Sequence, residues 1–330
     1  MHAAFVDELG PTDLIRYGEL PDPVAGPGEA LVQVLAVAVD GVDLLLRSGR
    51  WVNPVRFPLV LGRDLVGRVV SLGPDTSSEL RPGDLVWTNT AGFGGRPGAT
   101  AELTCVALDR LYRLPAGADP VTFVATVHPA ATAQAGLLGR ARLAAGETVA
   151  VVGANGAVGA AMVQAAGTVG AHAIGVVRAA AAAGSVESCG GVAVVADAQG
   201  AVAAAVAAAP DGVDVLVDTT GRVDLGAVAG LLNPRGRILV IATRTTVELD
   251  LWRFYTRELQ LVGFVLSELT VPELAAAADW IGEQWPTGRI GAPVGVVWPF
   301  ARAREAHEVV QNGGLPHRPD GAATRIVLVP

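Results

Sequence analysis

Not one lysine occurs in the 330 residues: all 24 basic residues are arginine. This absence excludes lysine Schiff-base chemistry and lysine-dependent phosphate binding, so any cationic role falls to Arg or His. Cysteine is almost as scarce. Cys105 and Cys189 are too few and too far apart for a disulfide framework or a Cys-rich zinc lobe, and both read as ordinary half-buried thiols. The formal net charge of −8 comes without a basic run, which disfavours nucleic acid as a partner. Long apolar runs are missing too, since Gly, Asp or Pro interrupts each Val/Ala-rich stretch well before the roughly 18 residues of a membrane span. The first residues, MHAAFVDELG, lack the basic start and apolar run of an export signal, and a cytoplasmic protein with no membrane partner is expected.

What is abundant is small and apolar. The chain is 51% hydrophobic and 17% charged, dominated by Ala and Val, as suits buried parallel strands and closely packed helices. Its length exceeds what one core usually organises. The first hundred or so residues alternate β-like runs (GEALVQVLAVAV, DLVGRVVSLG, DLVWTN, AELTCVALDRLYRLP) with Gly/Pro loops. From about Asp119 strands alternate with Ala-rich helices, which predicts a parallel sheet covered on both faces. The last segment, VGVVWPFARAREAHEVVQNGG to RIVLVP, returns to strand, helix, strand. Residues 1–118 are therefore read as a mostly β domain with 294–330 packing back on it, and 119–293 as an α/β domain. Trp252, Phe254 and Tyr255 in LWRFYTRE read as a helix face packed into that second domain.

The strongest motif is Thr148–Gly159, TVAVVGANGAVG, a buried-strand pattern running into Gly153, Gly156 and Gly159 and then a helix. A tight strand-to-helix turn, close approach of a pyrophosphate to backbone at a helix N-terminus, and close helix–strand packing each require a small residue there. The next strand, AHAIGVVR, ends at Arg178 where an Asp or Glu would bind the adenosine ribose of NAD. An arginine at that place favours the 2′-phosphate of NADPH over NADH.

The chain resembles the medium-chain dehydrogenase/reductase superfamily, above all its zinc-free quinone oxidoreductase-like branch. GANGAVG is similar to that branch's GASGGVG, and LPDPVAGPGEALVQVLAVAVDGVDLLLRSG, RPGDLVW, LAAGETVAVVG, VDVLVDTTG, LNPRGRILVIAT and ELQLVGFVL have counterparts in the same order. The resemblance implies a GroES-like β domain formed from both chain ends, a Rossmann domain inserted in it, an active site where they meet, and commonly a homodimer. Residue by residue, it implies that Gly153, Ala154, Asn155, Gly156, Ala157 and Val158 line the pyrophosphate, with Arg178 at the ribose. It places Thr132, Thr219, Thr220 and Gly221 near the nicotinamide, and adds Ile241, Ala242, Thr243, Phe264 and Val265 to the dinucleotide site. Trp51 and Phe57, with Asn53 and Arg56, lie on a loop that borders the substrate in that superfamily.

Departures from the family pattern bear on mechanism. Where zinc dehydrogenases hold metal with Cys, His and Cys, the matching positions are Asp40, Arg63 and His128. An arginine ligates no metal and two remaining donors rarely suffice, so no metal is expected. The tyrosine often found near the substrate is replaced by Leu45. Asp40, Asp43, Arg63, Asp64 and His128 are expected to converge, with Arg63 as a fixed charge between carboxylates and His128, which titrates near neutrality, as proton source. HRPDG reads as a plain exposed loop, with a phosphate contact through Arg318 as the alternative. The reading is an NADPH-dependent, zinc-independent reductase of a conjugated C=C, enone or quinone. The alternatives are a biosynthetic reductase of an imine or pathway intermediate, and a catalytically idle dinucleotide-binding protein.

Overall fold

The computed structural model describes all residues except Val52 and 242–245, and the side chain of Ala227. It packs as two units: Met1–His128 with Gly291–Pro316 and Thr324–Pro330, and Pro129–Ile290 with His317–Ala323. Asp119–His128 thus packs with the β unit. The C-terminal segment is divided, because the short loop His317–Ala323 leaves it to join the second unit.

In the first unit, strands Val294–Pro299, Arg325–Val329, Glu29–Ala38, Asp64–Leu72, Leu85–Thr88 and Tyr112–Arg113 form a sheet in that order, with Leu103–Ala107 also paired to Glu29–Ala38. Alternation in EALVQVLAVA sends Ala30, Val32 and Val34, and Val37 after a register shift, into a core shared with Leu65, Val69, Val86, Phe300, Ile326 and Leu328. Two registers fix one end of this sheet. Ala38 pairs with Asp64 on one side and with Val327 on the other, all antiparallel.

In the second unit six parallel strands run in the order Val192–Val195, His172–Val177, Thr148–Val152, Val215–Asp218, Arg237–Val240, Gln260–Gly263. This is the 3-2-1-4-5-6 order of a doubly wound sheet. The central strand is buried throughout, as its unbroken Val/Ala run requires when helices cover both faces. Helix Ala157–Thr168 buries Gly159, Ala161, Ala165 and Ala166, small residues that let it lie close on the sheet, with Met162 filling the core between them. Arg237 clamps the base of the sheet, donating to both carboxylate oxygens of Glu147 at 2.7 and 2.6 Å and to the Ala141 carbonyl at 2.9 Å.

The aromatic cluster departs from expectation. Phe254 packs on the core, but Trp252 and Tyr255 are 72% and 75% exposed. Their helix, Leu251–Thr256, is a six-residue turn capped by Asp250, too short to bury a full face. Among the described residues no helix is long and apolar enough to cross a membrane.

Candidate active site

Two constellations carry chemistry, one in each unit. In the α/β unit the turn from strand Thr148–Val152 into helix Ala157–Thr168 is built on absent side chains. Gly153 has φ +82°, and a Cβ there would stand 2.5 Å from Thr219 Oγ1. A Cβ on Gly159 would stand 2.2 Å from the carbonyl oxygen of Gly153. The small residues let a ligand come close to the backbone of the turn and to the positive end of the helix. A cavity of about 340 Å³ opens there, lined by Gly153, Asn155, Gly156, Arg178, Thr219 and Thr220, and also by Asp197, Arg222 and His317. It lies at the carboxyl ends of the strands, where their order reverses, which is where open α/β sheets take ligands. These residues fit a dinucleotide.

Asp218 shapes the far wall. Its carboxylate, almost wholly buried, accepts from the N–H groups of Thr220, Gly221 and Val223 at 2.8, 3.1 and 3.0 Å, and from the Thr220 hydroxyl at 2.7 Å. Thr219 is fixed by donating to the Val152 carbonyl at 2.8 Å. Arg178 is exposed, with no hydrogen bond or ion pair to a described residue, and also borders an adjoining space lined by His317 and Arg318. The loop bearing those two is held by Ala323, whose N–H donates to the Asn155 carbonyl at 3.0 Å, and by the Asn155 amide donating to the Gly321 carbonyl at 3.4 Å. Ala154 is buried beneath the turn, while Ala157 and Val158 open the helix. Thr132 is buried in helix Pro120–Ala133, the Phe264 ring packs over Gly136, and Ile241 packs on the same core, with Val265 partly exposed; none of these lines the cavity. Ala242 and Thr243 lie outside the described residues.

In the β unit, strand register creates the second constellation. Since Ala38 opposes both Asp64 and Val327, stepping two residues along each antiparallel strand sets Asp40 against Arg325 on the same face. Arg325 donates through Nη2 to Asp40 Oδ1. His128 Nδ1, on helix Pro120–Ala133, lies 3.2 Å from Asp64 Oδ1. Asp43 Oδ2 accepts the Asp40 N–H at 2.8 Å, in the first turn of helix Gly41–Arg47. Asp40, Asp43, Arg63, Asp64 and Arg325 are all buried.

Arg63 is buried within electrostatic reach of Asp43, Asp64 and Asp40, but it does not bond them. Its Nη2 donates to the Asn89 carbonyl at 3.4 Å, its plane lies 5.3 Å from the Phe93 ring centre, and it makes no ion pair with a described residue. The ion-paired cation is Arg325, which sequence reasoning missed: 285 positions separate it from Asp40, and nothing local in TRIVLVP marks it. Trp51 is half-buried with its ring edge-on to Phe93 at 5.8 Å, and Phe57 is about half exposed.

The charges perturb one another. Burial pushes Asp40 up, but Arg325 and His128 outweigh it and hold the carboxyl at about 2. Asp43 rises to about 7 and Asp64 to about 6, each through burial and then the charge of Asp40. Burial pulls His128 down, yet Asp40 and Asp64 raise it above its ordinary value. The two carboxylates thus favour the protonated form of an imidazole that they flank.

A third donor, Asp64, joins Asp40 and His128: each offers one atom and the three lie within 4.8 Å of one another. The expectation of two donors is corrected to this extent. A divalent cation would nevertheless meet the guanidinium on Asp40 and the charge of Arg63 in a buried setting, where like charges repel strongly. Residues so arranged do not fit a metal ion.

Residues 26–116 match the family described as alcohol dehydrogenase GroES-like domain, and 157–283 the family described as zinc-binding dehydrogenase. The chain is 26% identical over 332 residues to the quinone oxidoreductase of Homo sapiens, covering all of this chain and 98% of that one. With the quinone oxidoreductase of Mus musculus it shares 28% over 324 residues, 95% of each. A mycobacterial quinone oxidoreductase of known structure superposes with a TM-score of 0.85 at 25% identity, with full coverage of both chains.

Proposed function

This chain belongs to the medium-chain dehydrogenase/reductase superfamily, in its quinone oxidoreductase-like group, and is an oxidoreductase; from that premise we propose that it is an NADPH-dependent, zinc-independent reductase of conjugated C=C bonds in enones or quinones. The observation that carries the cofactor reading is the glycine cradle whose cavity is bordered by Arg178, a cation with no protein partner among the described residues. Gly153–Gly156 and the helix they open would hold the pyrophosphate. Arg178 would take the 2′-phosphate through charge-assisted hydrogen bonds, and Thr219 and Thr220 would flank the dinucleotide. A bound reduced nicotinamide supplies a hydride.

The chain's own residues manage the accompanying proton. Hydride addition to a conjugated carbonyl leaves an enolate that must gain one proton. His128, whose protonated form Asp40 and Asp64 favour, is the donor in this reading, with Asp64 orienting the ring through Nδ1. Arg325 supplies buried positive charge without a metal. The exposed outer strand Gln260–Gly263, whose outer edge pairs with no strand among the described residues and whose Leu261 is 46% exposed, supports assembly as a homodimer through that edge. The missing tyrosine at Leu45 favours, as a second reading, a biosynthetic substrate such as an imine.

The test is His128→Asn assayed for NADPH oxidation against quinones, enones and imines, beside nucleotide binding by fluorescence. Turnover falls by roughly 10²-fold or more, the usual contribution of a general acid, with nucleotide binding unchanged. Turnover equal to the parent removes His128 from the reaction, and tight binding without oxidation of any panel member indicates an idle dinucleotide-binding protein.

A further inference from the structure

We propose that Arg325 is the built-in cation of the buried acidic cluster: it occupies Asp40 in place of a divalent metal, and its removal converts Asp40, Asp64 and His128 into a metal-binding site. The inference rests on the zinc-independent reading and adds the residue that enforces it.

The fold forces the juxtaposition. Val39 donates its N–H to the Ile326 carbonyl at 3.1 Å, so the last strand is locked against the end of Glu29–Ala38, and Arg325 has no alternative to facing Asp40. Both side chains are less than a tenth exposed, 8% and 5%. A buried carboxylate needs a partner charge, and Arg325 is the one that bonds it. Arg63 adds positive charge nearby but bonds the Asn89 carbonyl and faces the Phe93 ring, so it does not take the place of Arg325 on Asp40.

The donors are otherwise ready. Asp40 Oδ2 and Asp64 Oδ2 are buried and bond no donor group among the described residues, and the two carboxyl groups lie against each other, an arrangement that favours a cation or a shared proton between them. With His128 they place carboxylate and imidazole atoms within 4.8 Å of one another, donor types suited to Zn²⁺ and Co²⁺. What prevents a metal is charge already in place. Neutralising residue 325 leaves excess negative charge facing unsatisfied oxygen atoms, which a divalent cation satisfies.

Co²⁺ is the probe, because its visible d–d absorption reports the donor set independently of activity. The parent and the Arg325→Lys and Arg325→Gln variants are dialysed against Co²⁺, and bound metal per chain and spectrum are recorded with circular dichroism and NADPH binding. The parent and Arg325→Lys take up no Co²⁺, while Arg325→Gln binds one ion per chain with a low-symmetry visible band that Asp40→Asn/Arg325→Gln lacks. If Arg325→Gln is unfolded in chelator, Co²⁺ restores its fold. Stoichiometric Co²⁺ in the parent overturns the zinc-independent reading and this proposal together. A parent free of Co²⁺, with an Arg325→Gln variant that binds none or stays unfolded in its presence, overturns the role of Arg325 and leaves the zinc-independent reading standing.

Discussion

Replacing Arg178 with Ala removes the cation at the end of strand His172–Val177, where an adenosine ribose would lie. The side chain is exposed, so its attraction to a 2′-phosphate is partly screened: at 4 Å it is about 1 kcal/mol in bulk water and about 4 kcal/mol at the effective dielectric near a protein surface. A hydrogen bond involving a charged group contributes about 1.5–3 kcal/mol, within those limits. Each 1.4 kcal/mol is tenfold, so Arg178→Ala weakens NADPH binding by roughly 10- to 100-fold. NADH carries no 2′-phosphate and its Kd changes by less than about twofold on the same reasoning. Fluorescence titration of both nucleotides, at low and at high salt, measures the difference. The NADPH effect shrinks as salt screens the exposed charge. Equal losses for the two nucleotides would mean that Arg178 only shapes the turn, and no loss for either would remove it from the site; each result refutes the 2′-phosphate assignment.

Gly159→Val places side-chain carbon against the Gly153 carbonyl and separates helix from strand; nucleotide binding is lost and thermal stability falls, by an amount in the roughly 1–3 kcal/mol range of overpacking, with intact binding refuting the close-approach argument. The Asp43 carboxyl, raised to about 7 by burial and Asp40, favours the folded state while protonated, a stabilisation complete below its unfolded value near 4 and lost as pH rises towards 7. Asp43→Asn keeps an acceptor for the Asp40 N–H, so in denaturant melts it is more stable than the parent at pH 8 and loses this advantage by pH 4; a pH-independent difference would show that Asp43 is not the titrating group. Substituting Leu261 by Arg on the outer strand yields monomer by light scattering if that edge pairs two copies, whereas an unaltered mass points to another interface.

The glycine motif was readable because its requirements are local. TVAVVGANGAVG holds the strand, the turn and the helix start within a dozen residues, and the clashes that a Cβ would meet at Gly153 and Gly159 lie mostly within that same stretch and at Thr219. Arg178 was readable for the same reason, as the end of the next strand. The loop His317–Ala323 was only half readable: Arg318 looked phosphate-seeking, but the anchoring of Gly321 and Ala323 on Asn155 joins residues more than 160 positions apart. Trp252 and Tyr255 misled because aromatic content suggests burial, whereas a six-residue helix has no second turn with which to hide them.

By itself the sequence determined that arginine, not lysine, carries positive charge in this protein, that a buried parallel sheet follows a β domain, and that a dinucleotide turn opens at Gly153. Those features rest on composition, on hydrophobic period and on steric needs of neighbouring residues. Which cation neutralises Asp40 was decided only by tertiary structure. Strand register selected Arg325 over Arg63, because pairing of Ala38 with Val327 sets the 40th and 325th residues face to face, while the residue beside Asp64 in sequence turns its guanidinium towards Asn89 and Phe93. Adjacency in sequence states nothing about which side of a strand faces which neighbour; hydrogen-bonded register does.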